Sequence, residues 1–404
     1  MQFTASRTAA LARLSEFLPR AGRAYANNRN HDDGVSGAGE MRSNVSQLSP
    51  WLHAGLIGEA EVVDTVLGKH SPAAAEKFIA EVFWRVYFKG YLEQRPSVWR
   101  AYCEDRDAAF ERMAGNAGLQ KAYNEAVEGR TGITAFDHWA QELVRTGYLH
   151  NHARMWFASI WIFTLKLDWQ LGADFFLRHL MDGDAASNTL SWRWVAGLHT
   201  KGKTYQARAS NIARYTDGRF HPERQLADEA EPLTEAIEHP HRPIPAAVPP
   251  VEGDFLLLIT EEDGRAEELL PHQPTQVLGL LATDARSPLA IGEIARSFAE
   301  GAVADAIDRA GGRADSIRRT DDWSAAIIEA AASARTKTVV TAYMPVGPAA
   351  QRLAAARPDL DAAGITLHRI RRAYDDLAWP HATKSFFALK KQIPHVLRAL
   401  ELIK

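Results

Sequence analysis

The sequence predicts two structural units of different class: an all-helical unit followed by a smaller Rossmann-like α/β unit with a parallel sheet. Apolar residues recur at helical spacing through residues 1–225, whereas short apolar runs alternate with alanine-rich stretches after residue 250. The stretch HPHRPIPAAVPP, with five prolines in twelve residues, separates the two patterns. We therefore assign the helical unit to 1–227, a proline-rich linker to 228–250 and the α/β unit to 251–404.

Helices account for the first unit. A long helix is expected over 71–94, because Ser71 suits an N-cap and Pro72 suits the first helical position. Further helical patterns cover 134–146, 150–170 and 173–181. The linker is expected to be partly extended, since proline neither continues a helix nor donates to a central strand.

The second unit alternates strands with helices, which is typical of a doubly wound sheet. The predicted buried strands are FLLLIT (255–260), QVLGLLAT (276–283), TVVTAYM (338–344) and ITLHRI (365–370). Helical stretches lie at about 288–311, 322–335 and 347–357. This unit has no GxGxxG and no P-loop, so it carries no readable nucleotide fingerprint.

Composition sets broad limits on function. The 404 residues carry a net charge of −3, so nucleic-acid binding would need a local basic patch. Cys103 is the single cysteine, which excludes an intramolecular disulfide and fits a reducing cytoplasm. The first 22 residues lack the apolar core of a signal peptide, and no apolar run is long enough to span a membrane.

Common catalytic motifs are absent, but three polar or aromatic features stand out. His150 and His152 are two residues apart, which favours polar groups at a helix start over a metal site. Asp182 and Asp184 flank a glycine, as in a turn or as a pair of acceptors for a donor-rich ligand. Residues 193–224 carry seven basic and two acidic side chains interleaved with aromatics, a pattern that suits nucleic acid as well as a solvated face.

Five segments of the helical unit then form an ordered series of motifs. They are YANNRNHDDG (25–34), SNVSQLSPWLHAGLI (43–57), EVFWRVYF (81–88), RTGITAFDHWAQELVRTGYLHNHARM (130–155) and DGDAASNTLSWRW (182–194). Together they resemble the FAD-binding domain of the DNA photolyase/cryptochrome family. The resemblance implies blue-light electron transfer by FAD, bent into a U among the helices.

The resemblance also implies which residues bind the cofactor. Ser46 and Ser49 would hold the pyrophosphate at a helix start. Arg154 would pair with Asp182 near the isoalloxazine ring, Asp184 would accept from the ring edge, and Asn188 would accept from protonated N5. The full implied set is Tyr25, Ser46, Gln47, Leu48, Ser49, Phe78, Arg85, Asn151, Arg154, Asp182, Asp184 and Asn188. A second, antenna chromophore is left unassigned.

The implied substrate is DNA that contains a pyrimidine dimer. Glu81, Trp84, Met155 and Trp194 match the residues that contact a cyclobutane dimer in family repair enzymes, and Asn188 completes the implied catalytic set. The two indoles would stack on the flipped dimer, while Glu81 would hydrogen-bond its carbonyl or N–H groups. Asn151 and Met155 stand where enzymes that repair (6-4) photoproducts carry histidines, which favours cyclobutane dimers.

Electron transfer and DNA contacts complete the implied roles. Trp192 and Trp169 match the first two members of the family's electron relay. The third position falls near Asn116, and Trp161 is a candidate substitute. The predicted DNA-binding residues are Arg193, Lys201, Lys203 and Arg208.

Departures from the family keep two functions open. Gln47 and His152 replace arginines, and fewer phosphate contacts would weaken DNA binding. The helical unit precedes the α/β unit, although segment 374–400 resembles the end of the family's α/β domain, so we expect a circular permutation. The first hypothesis is a dimer-splitting photolyase, and the alternative is a cryptochrome-like photoreceptor without DNA repair.

Overall fold

The first half of the chain is helical, as predicted. The computed structural model describes residues 3–34, 41–246, 248 and 251–403, so part of the predicted linker (247, 249 and 250) lies outside the described residues. The helices of this half are α1 (Arg7–Phe17), α2 (Arg23–Asn28), α3 (Ser49–His53), α4 (Glu59–Leu67), α5 (Pro72–Glu93), α6 (Ser97–Ala114), α7 (Ala117–Val127), α8 (Thr134–Thr146), α9 (Asn151–Ser159), α10 (Trp169–His179), α11 (Ala185–Val195) and α12 (Ala209–Tyr215).

Two helix predictions meet different outcomes. The long helix begins at Pro72, and the Ser71 side chain accepts from the backbone N–H of Ala74, which is the predicted N-cap. The single helix expected over 150–170 is wrong, because α9 passes into a π-helical turn at Ile160–Thr164 and the chain then leaves helical conformation until Trp169. Apolar periodicity alone does not reveal such a break.

The second half contains a parallel sheet in the order β3-β2-β1-β4-β5. Its strands are β1 (Leu256–Ile259), β2 (Gln276–Leu280), β3 (Ile317–Arg318), β4 (Thr338–Ala342) and β5 (Thr366–Ile370). Its helices are α13 (Glu293–Arg309), α14 (Trp323–Ser333) and α15 (Pro348–Ala362), followed by α16 (Ala373–Ala378), α17 (Phe386–Lys390) and α18 (Ile393–Ala399). The predicted strands are confirmed, and the two-residue edge strand β3 was not anticipated.

Side chains alternate across the sheet and build a core on each face. Leu256 and Leu258 pack towards α14 and α15, whereas Leu257 and Ile259 pack towards α13. A sheet buried on both faces explains why its strands read as continuous apolar runs in the sequence. This is the doubly wound arrangement that the sequence predicts.

The segment after β5 packs with the helical half. Tyr374, Trp379, Phe386 and Val396 belong to the same hydrophobic cluster as residues of α1, α3, α4 and α5. The Gln94 side chain also donates to the backbone carbonyl of Trp379 at 2.8 Å. By its packing, the α16–α18 segment belongs with the helical half, although it follows the sheet in sequence. The domain boundaries at residues 227 and 251 stay predictions.

The carboxyl edge of the sheet faces the helical half through polar contacts. Gly264, shortly after β1, donates its N–H to the carbonyl of Ala54 at 2.8 Å. Tyr343, directly after β4, donates its hydroxyl to Glu93 at 2.7 Å. In the described part of the chain, no helix is both long and apolar enough to cross a membrane.

Gly90 offers a test of how the α16–α18 segment packs on α5. A Cβ at this position would lie 2.7 Å from the Trp379 ring and 2.9 Å from its Cα. We expect Gly90→Ala to lower the free energy of unfolding by about 1–3 kcal/mol, because overpacking against backbone outweighs the gain in helix propensity. Urea unfolding followed by circular dichroism measures the change.

Gly68→Ala is the matched control for this substitution. Gly68 ends α4 with a right-handed φ of −65°, and its nearest added contacts would be 3.5 and 3.6 Å away. This control should change the free energy of unfolding by no more than about 0.5 kcal/mol. Equal effects of the two substitutions would contradict tight packing of Trp379 on Gly90.

Candidate functional site

A cavity of about 480 Å³ lies among α5, α9, α11 and the segment that enters α3. Its size is within the usual range for cofactor and ligand pockets. It brings together sixteen of the predicted site residues: Tyr25, Ser46, Gln47, Leu48, Ser49, Phe78, Glu81, Trp84, Arg85, Asn151, Arg154, Met155, Asp182, Asn188, Trp192 and Trp194.

Buried arginine contacts shape the loop before α3. Arg13 of α1 donates to the carbonyl oxygens of Ser46 (2.8 Å) and Val45 (2.9 Å), so the loop wraps around its guanidinium. Gln47 adopts a positive φ of 55° and accepts from the N–H of Arg42 through Oε1 at 2.5 Å. The turn is therefore fixed by buried hydrogen bonds, and Ser49 begins α3 at the cavity wall.

Unpartnered donors on the cavity wall match a polar ligand. Within the described residues, Gln47 Nε2, Arg85 Nη2 and Ser187 Oγ are buried without a hydrogen-bond partner. Buried polar atoms normally have partners, so these donors indicate an acceptor-rich occupant. Phosphate oxygens and the edges of a heterocycle supply such acceptors, and the residues present therefore fit a dinucleotide.

Arg154 and Asp182 form the predicted pair on the cavity wall. Arg154 Nη2 lies 3.1 and 3.0 Å from the two carboxylate oxygens of Asp182. Burial acts to raise the pKa of Asp182, but Arg154, the Ser49 hydroxyl and Arg85 together hold it below its usual value. The pair therefore presents a fixed negative and a fixed positive charge to a ligand.

Asp184 lies behind the wall rather than among the residues that line it. Its carboxylate caps α11 by accepting from the N–H of Ser187 at 2.6 Å. Lys89 Nζ is 3.6 Å away and His53 Nδ1 is 3.7 Å away. Burial opposes ionisation, yet the charge of Lys89, a hydrogen bond with His53 and the charge of Arg85 hold the pKa of Asp184 well below its usual value. A direct contact to the flavin ring edge stays a prediction.

Asn188 has one side of its amide engaged. Its Nδ2 donates to the carbonyl of Ala173 at 2.8 Å, which fixes the side chain between α10 and α11. The bond uses a donor and leaves Oδ1 as the remaining acceptor at the cavity wall. This orientation suits the predicted contact to a protonated ring nitrogen.

Glu81 and two tryptophans stand together on the predicted substrate side of the cavity. Glu81 is paired with Arg29 at 2.5 Å, and burial raises the pKa of this carboxyl despite the nearby cation. Trp84 stacks on Phe386 with ring centroids 3.9 Å apart and an angle of 12°. Trp194 stacks on Tyr205 at 5.6 Å. Both indoles are thus held from behind by a second aromatic ring.

Of the two tryptophans assigned to the predicted relay, Trp192 lines the cavity and Trp169 does not. Trp192 packs against Trp161, with ring centroids 6.2 Å apart, while Trp169 packs on Tyr102 at 5.6 Å. Trp192 and Trp161 approach closely because Gly172 has no side chain: a Cβ there would lie 2.3 Å from the Trp192 ring. Trp161 thus contacts the predicted first relay member, and its role as a substitute for the third member stays a prediction.

One predicted DNA-binding residue needs correction. Lys201, Lys203 and Arg208 are exposed, as a phosphate contact requires. Arg193 is instead 5% exposed and forms a two-pronged ion pair with Glu235. Sequence reasoning counted its charge without its partner, which lies 42 positions away in the segment assigned to the linker.

His150 and His152 behave as the sequence analysis favours. His150 caps α9 by accepting from the N–H of His152 at 3.2 Å, and His152 bonds the carbonyl of Asn30. No group of three His, Cys, Asp or Glu side chains able to hold a metal ion occurs in the ranges that the structure describes.

Sequence reasoning missed two contributors to the site. Arg29 lies within the quoted motif YANNRNHDDG, but nothing in the motif indicates that it pairs with Glu81. Phe386 lies in the quoted segment 374–400, far in sequence from the indole on which it stacks. Both contacts depend on the tertiary fold, and no local sequence pattern indicates them.

Comparison with known proteins identifies the class of the helical half. Residues 78–225 match the family model described as the FAD-binding domain of DNA photolyase. A deoxyribodipyrimidine photo-lyase of Streptomyces griseus is 36% identical over 171 residues, covering 42% of this chain and 34% of the relative. That of Synechococcus sp. is 29% identical over 256 residues, covering 56% and 49%.

A solved cryptochrome from Synechocystis sp. is also similar, with a TM-score of 0.41 and 26% identity, covering 53% of this chain and 44% of that one. The chain spans between a third and a half of the length of the two curated relatives named above. The helical half is an FAD-binding flavoprotein domain. Residues 78–225 are therefore similar to the FAD-binding domain of DNA photolyase.

Asp182 provides a test of the cofactor cavity. We expect Asp182→Asn to weaken FAD affinity about tenfold or more, which corresponds to about 1.4 kcal/mol, because Arg154 would lose its buried partner. The measurement is the ratio of flavin to protein absorbance after dialysis, followed by titration with FAD.

Asp174→Asn is the matched control. Asp174 is a buried aspartate paired with Arg178 at 3.0 Å on α10, outside the residues that line the cavity. It should lower stability while leaving flavin content close to wild type. If both substitutions reduce flavin content equally, the Asp182 effect is general unfolding rather than lost cofactor contact.

Proposed function

We propose that this chain splits cyclobutane pyrimidine dimers in DNA, driven by blue light. The observation that carries the proposal is the combination in one cavity of a flavin-binding wall with a carboxyl and two indoles at Glu81, Trp84 and Trp194. Binding of a dinucleotide alone would not require the carboxyl of Glu81 or the indoles of Trp84 and Trp194. A flipped pair of thymines has flat faces and polar edges, which suit indoles and a carboxyl.

The cofactor wall would hold FAD through named groups of this chain. Ser46, Gln47 and Ser49 would bind the pyrophosphate. Arg154, Asp182 and Asn188 would orient the ring, with Tyr25 and Phe78 as apolar contacts. When bound in its reduced form, FAD supplies a light-excited electron donor. The residues of the chain fix its position and exclude water.

Glu81 would act at the edge of the bound dimer. Burial raises the pKa of its carboxyl, so the protonated form is available at higher pH than in a free glutamate. A protonated carboxyl can donate a hydrogen bond to a thymine carbonyl, where negative charge develops as the dimer gains an electron. Arg29, in contact with the same carboxyl, sets how readily that proton is held.

The indoles would position the dimer for this contact. Trp84 and Trp194 are each supported by a second ring, so they offer pre-formed stacking surfaces rather than mobile side chains. Met155 lines the same cavity as the two indoles. Trp192, with Trp161 or Trp169, would deliver electrons to keep the cofactor reduced.

A cryptochrome-like photoreceptor without repair is the second candidate. Two observations favour it: the guanidinium of Arg193 is neutralised by Glu235, and burial lowers the pKa of His152, so its ring is mostly neutral. Both reduce positive charge near the cavity, and phosphate binding depends on such charge. A light-dependent change of oligomeric state, with no dimer splitting, would select this candidate.

The direct test is light-dependent repair of a dimer-containing oligonucleotide by purified protein. We expect blue light to restore thymine absorbance near 260 nm with wild type, and darkness to leave the dimer intact. Trp194→Ala should weaken dimer binding about tenfold, because stacking on an aromatic ring contributes about 1–3 kcal/mol per base. Trp194→Phe should retain most of the binding.

Trp323→Phe controls for the loss of a tryptophan as such, because Trp323 is buried in the α/β half. It should leave repair unchanged. A flavin-loaded wild-type protein that shows no light-dependent reversal would reject the photolyase assignment.

The pH dependence of repair tests the role of Glu81. Arg29 lowers the pKa of this carboxyl, so Arg29→Gln should raise it further. If the protonated carboxyl is the working form, repair falls as pH rises through this pKa. The midpoint of that fall should then move to higher pH in Arg29→Gln. Single-turnover repair at saturating enzyme, measured across pH, gives the midpoint independently of DNA affinity.

Glu81→Gln is the control for this profile. Glutamine is isosteric and does not titrate, so the pH-dependent fall assigned to Glu81 should disappear. A midpoint that moves to lower pH in Arg29→Gln, or one that persists unchanged in Glu81→Gln, contradicts the assignment.

A further inference from the structure

The segment that follows the sheet packs behind Trp84, a residue that lines the cavity. Phe386, the first residue of α17, covers the back of Trp84 by stacking at 3.9 Å. The Tyr87 hydroxyl donates to the carbonyl of Lys384 at 2.8 Å and lies 2.9 Å from His199 Nε2. Residues 384–391, here called the rim segment, therefore touch α5 beside an indole of the proposed substrate site.

Phe387 is unlike its neighbour in the rim segment. Phe386 is 3% exposed, whereas Phe387 is 69% exposed, the highest value among the large hydrophobic side chains in the described residues. Because the Phe387 ring is exposed to water, it gains no hydrophobic burial within this chain. Single exposed apolar residues are common, so exposure alone assigns no role. A second observation supports a role: Phe387 directly follows Phe386, which stacks on Trp84 of the cavity wall.

The stretch of sequence around Phe387 carries positive charge only, although Glu76 of α5 approaches it. Residues 377–400 contain no aspartate or glutamate, and Lys384, Lys391 and Arg398 are exposed. Lys390 is paired with Glu76 at 2.8 Å. For a chain with a net charge of −3, such a stretch is a local basic surface. Basic residues interleaved with an exposed aromatic ring complement a polyanion that has stacked bases.

Two basic segments meet at Tyr87. Its hydroxyl contacts the rim segment on one side and His199 on the other, and His199 precedes the exposed Lys201 and Lys203. The rim segment and the 199–203 loop therefore lie on either side of one tyrosine of α5. A DNA strand that reaches the cavity past Lys201 and Lys203 lies close to the rim segment.

We propose that the rim segment is a second DNA-contacting element of this protein. Phe387 stacks on a base next to the flipped dimer and fills the space that the dimer leaves, while Lys384 and Lys391 contact neighbouring phosphates. Apolar side chains serve as such wedges in other proteins that deform DNA. The inference rests on the proposed function, because it takes dimer-containing DNA as the ligand.

The test uses the flavin-loaded full chain and a fluorescent duplex containing one cyclobutane dimer, in darkness, at 50 and 200 mM salt. Phe387→Ser should weaken binding about five- to tenfold without changing the salt dependence, since base stacking does not release counterions. Lys391→Ala and Lys384→Ala should each reduce the slope of log affinity against log salt by about 0.9. Anisotropy titration gives both quantities.

Matched controls separate contact from folding. Leu289→Ser removes another exposed hydrophobic side chain, and Lys337→Ala removes an exposed lysine at the start of β4. Both should bind the duplex as wild type does. Flavin content and the thermal melting curve should be unchanged in all five variants, because none of these residues lines the cavity.

Three outcomes overturn the inference, and they are distinguishable. If wild type binds the dimer duplex and the rim variants bind equally well, the rim segment has no role and the proposed function stands. If wild type itself does not bind, the proposed function falls and the inference falls with it. If sedimentation shows a wild-type dimer that Phe387→Ser dissociates while DNA affinity holds, the segment is a protein interface.

Discussion

Buried opposite charges tie the cofactor cavity to the sheet, and the rest of the structure depends on them. Lys89 of α5 lies 3.6 Å from Asp184, which caps α11. Glu59 of α4 lies 3.8 Å from Arg85 and 2.9 Å from Arg372, which follows β5. Asp184 and Glu59 are each 2% exposed. Removing one partner from such a set leaves an uncompensated buried charge, at a cost of about 3–5 kcal/mol.

Helix α5 organises these charges because of its period. Glu81, Arg85, Lys89 and Glu93 are spaced four residues apart, so they form one stripe along the helix. At one end of the stripe Glu81 contacts Arg29, and in the middle Lys89 contacts Asp184 behind the cavity wall. At the other end Glu93 contacts Tyr343, which follows β4. One face of one helix therefore carries charged side chains at the cavity, at the α11 cap and at the attachment of the sheet.

The sequence was informative wherever local chemistry decides the structure. Continuous apolar runs predicted four strands of the sheet, and Ser71 predicted the start of α5. It was uninformative wherever a partner lies far along the chain: the pairing of Arg193 with Glu235 and the stacking of Phe386 are set by the fold. The break after Ile160–Thr164 was not predicted because the apolar residues Leu165 and Leu167 continue the pattern through it. For the site, ordered motifs of the family located the cavity residues that periodicity alone could not.

The cofactor wall and the substrate side differ in how much of the chain they need. Residues between 25 and 199 line the cavity, so the helical half supplies the whole wall. The orientation of Trp84 additionally depends on Phe386, which follows the sheet in sequence, and Gly90 lets Trp379 anchor that segment on α5. The proposed substrate contact of Trp84 therefore depends on docking of the segment after β5, whereas all residues that line the cavity precede residue 200.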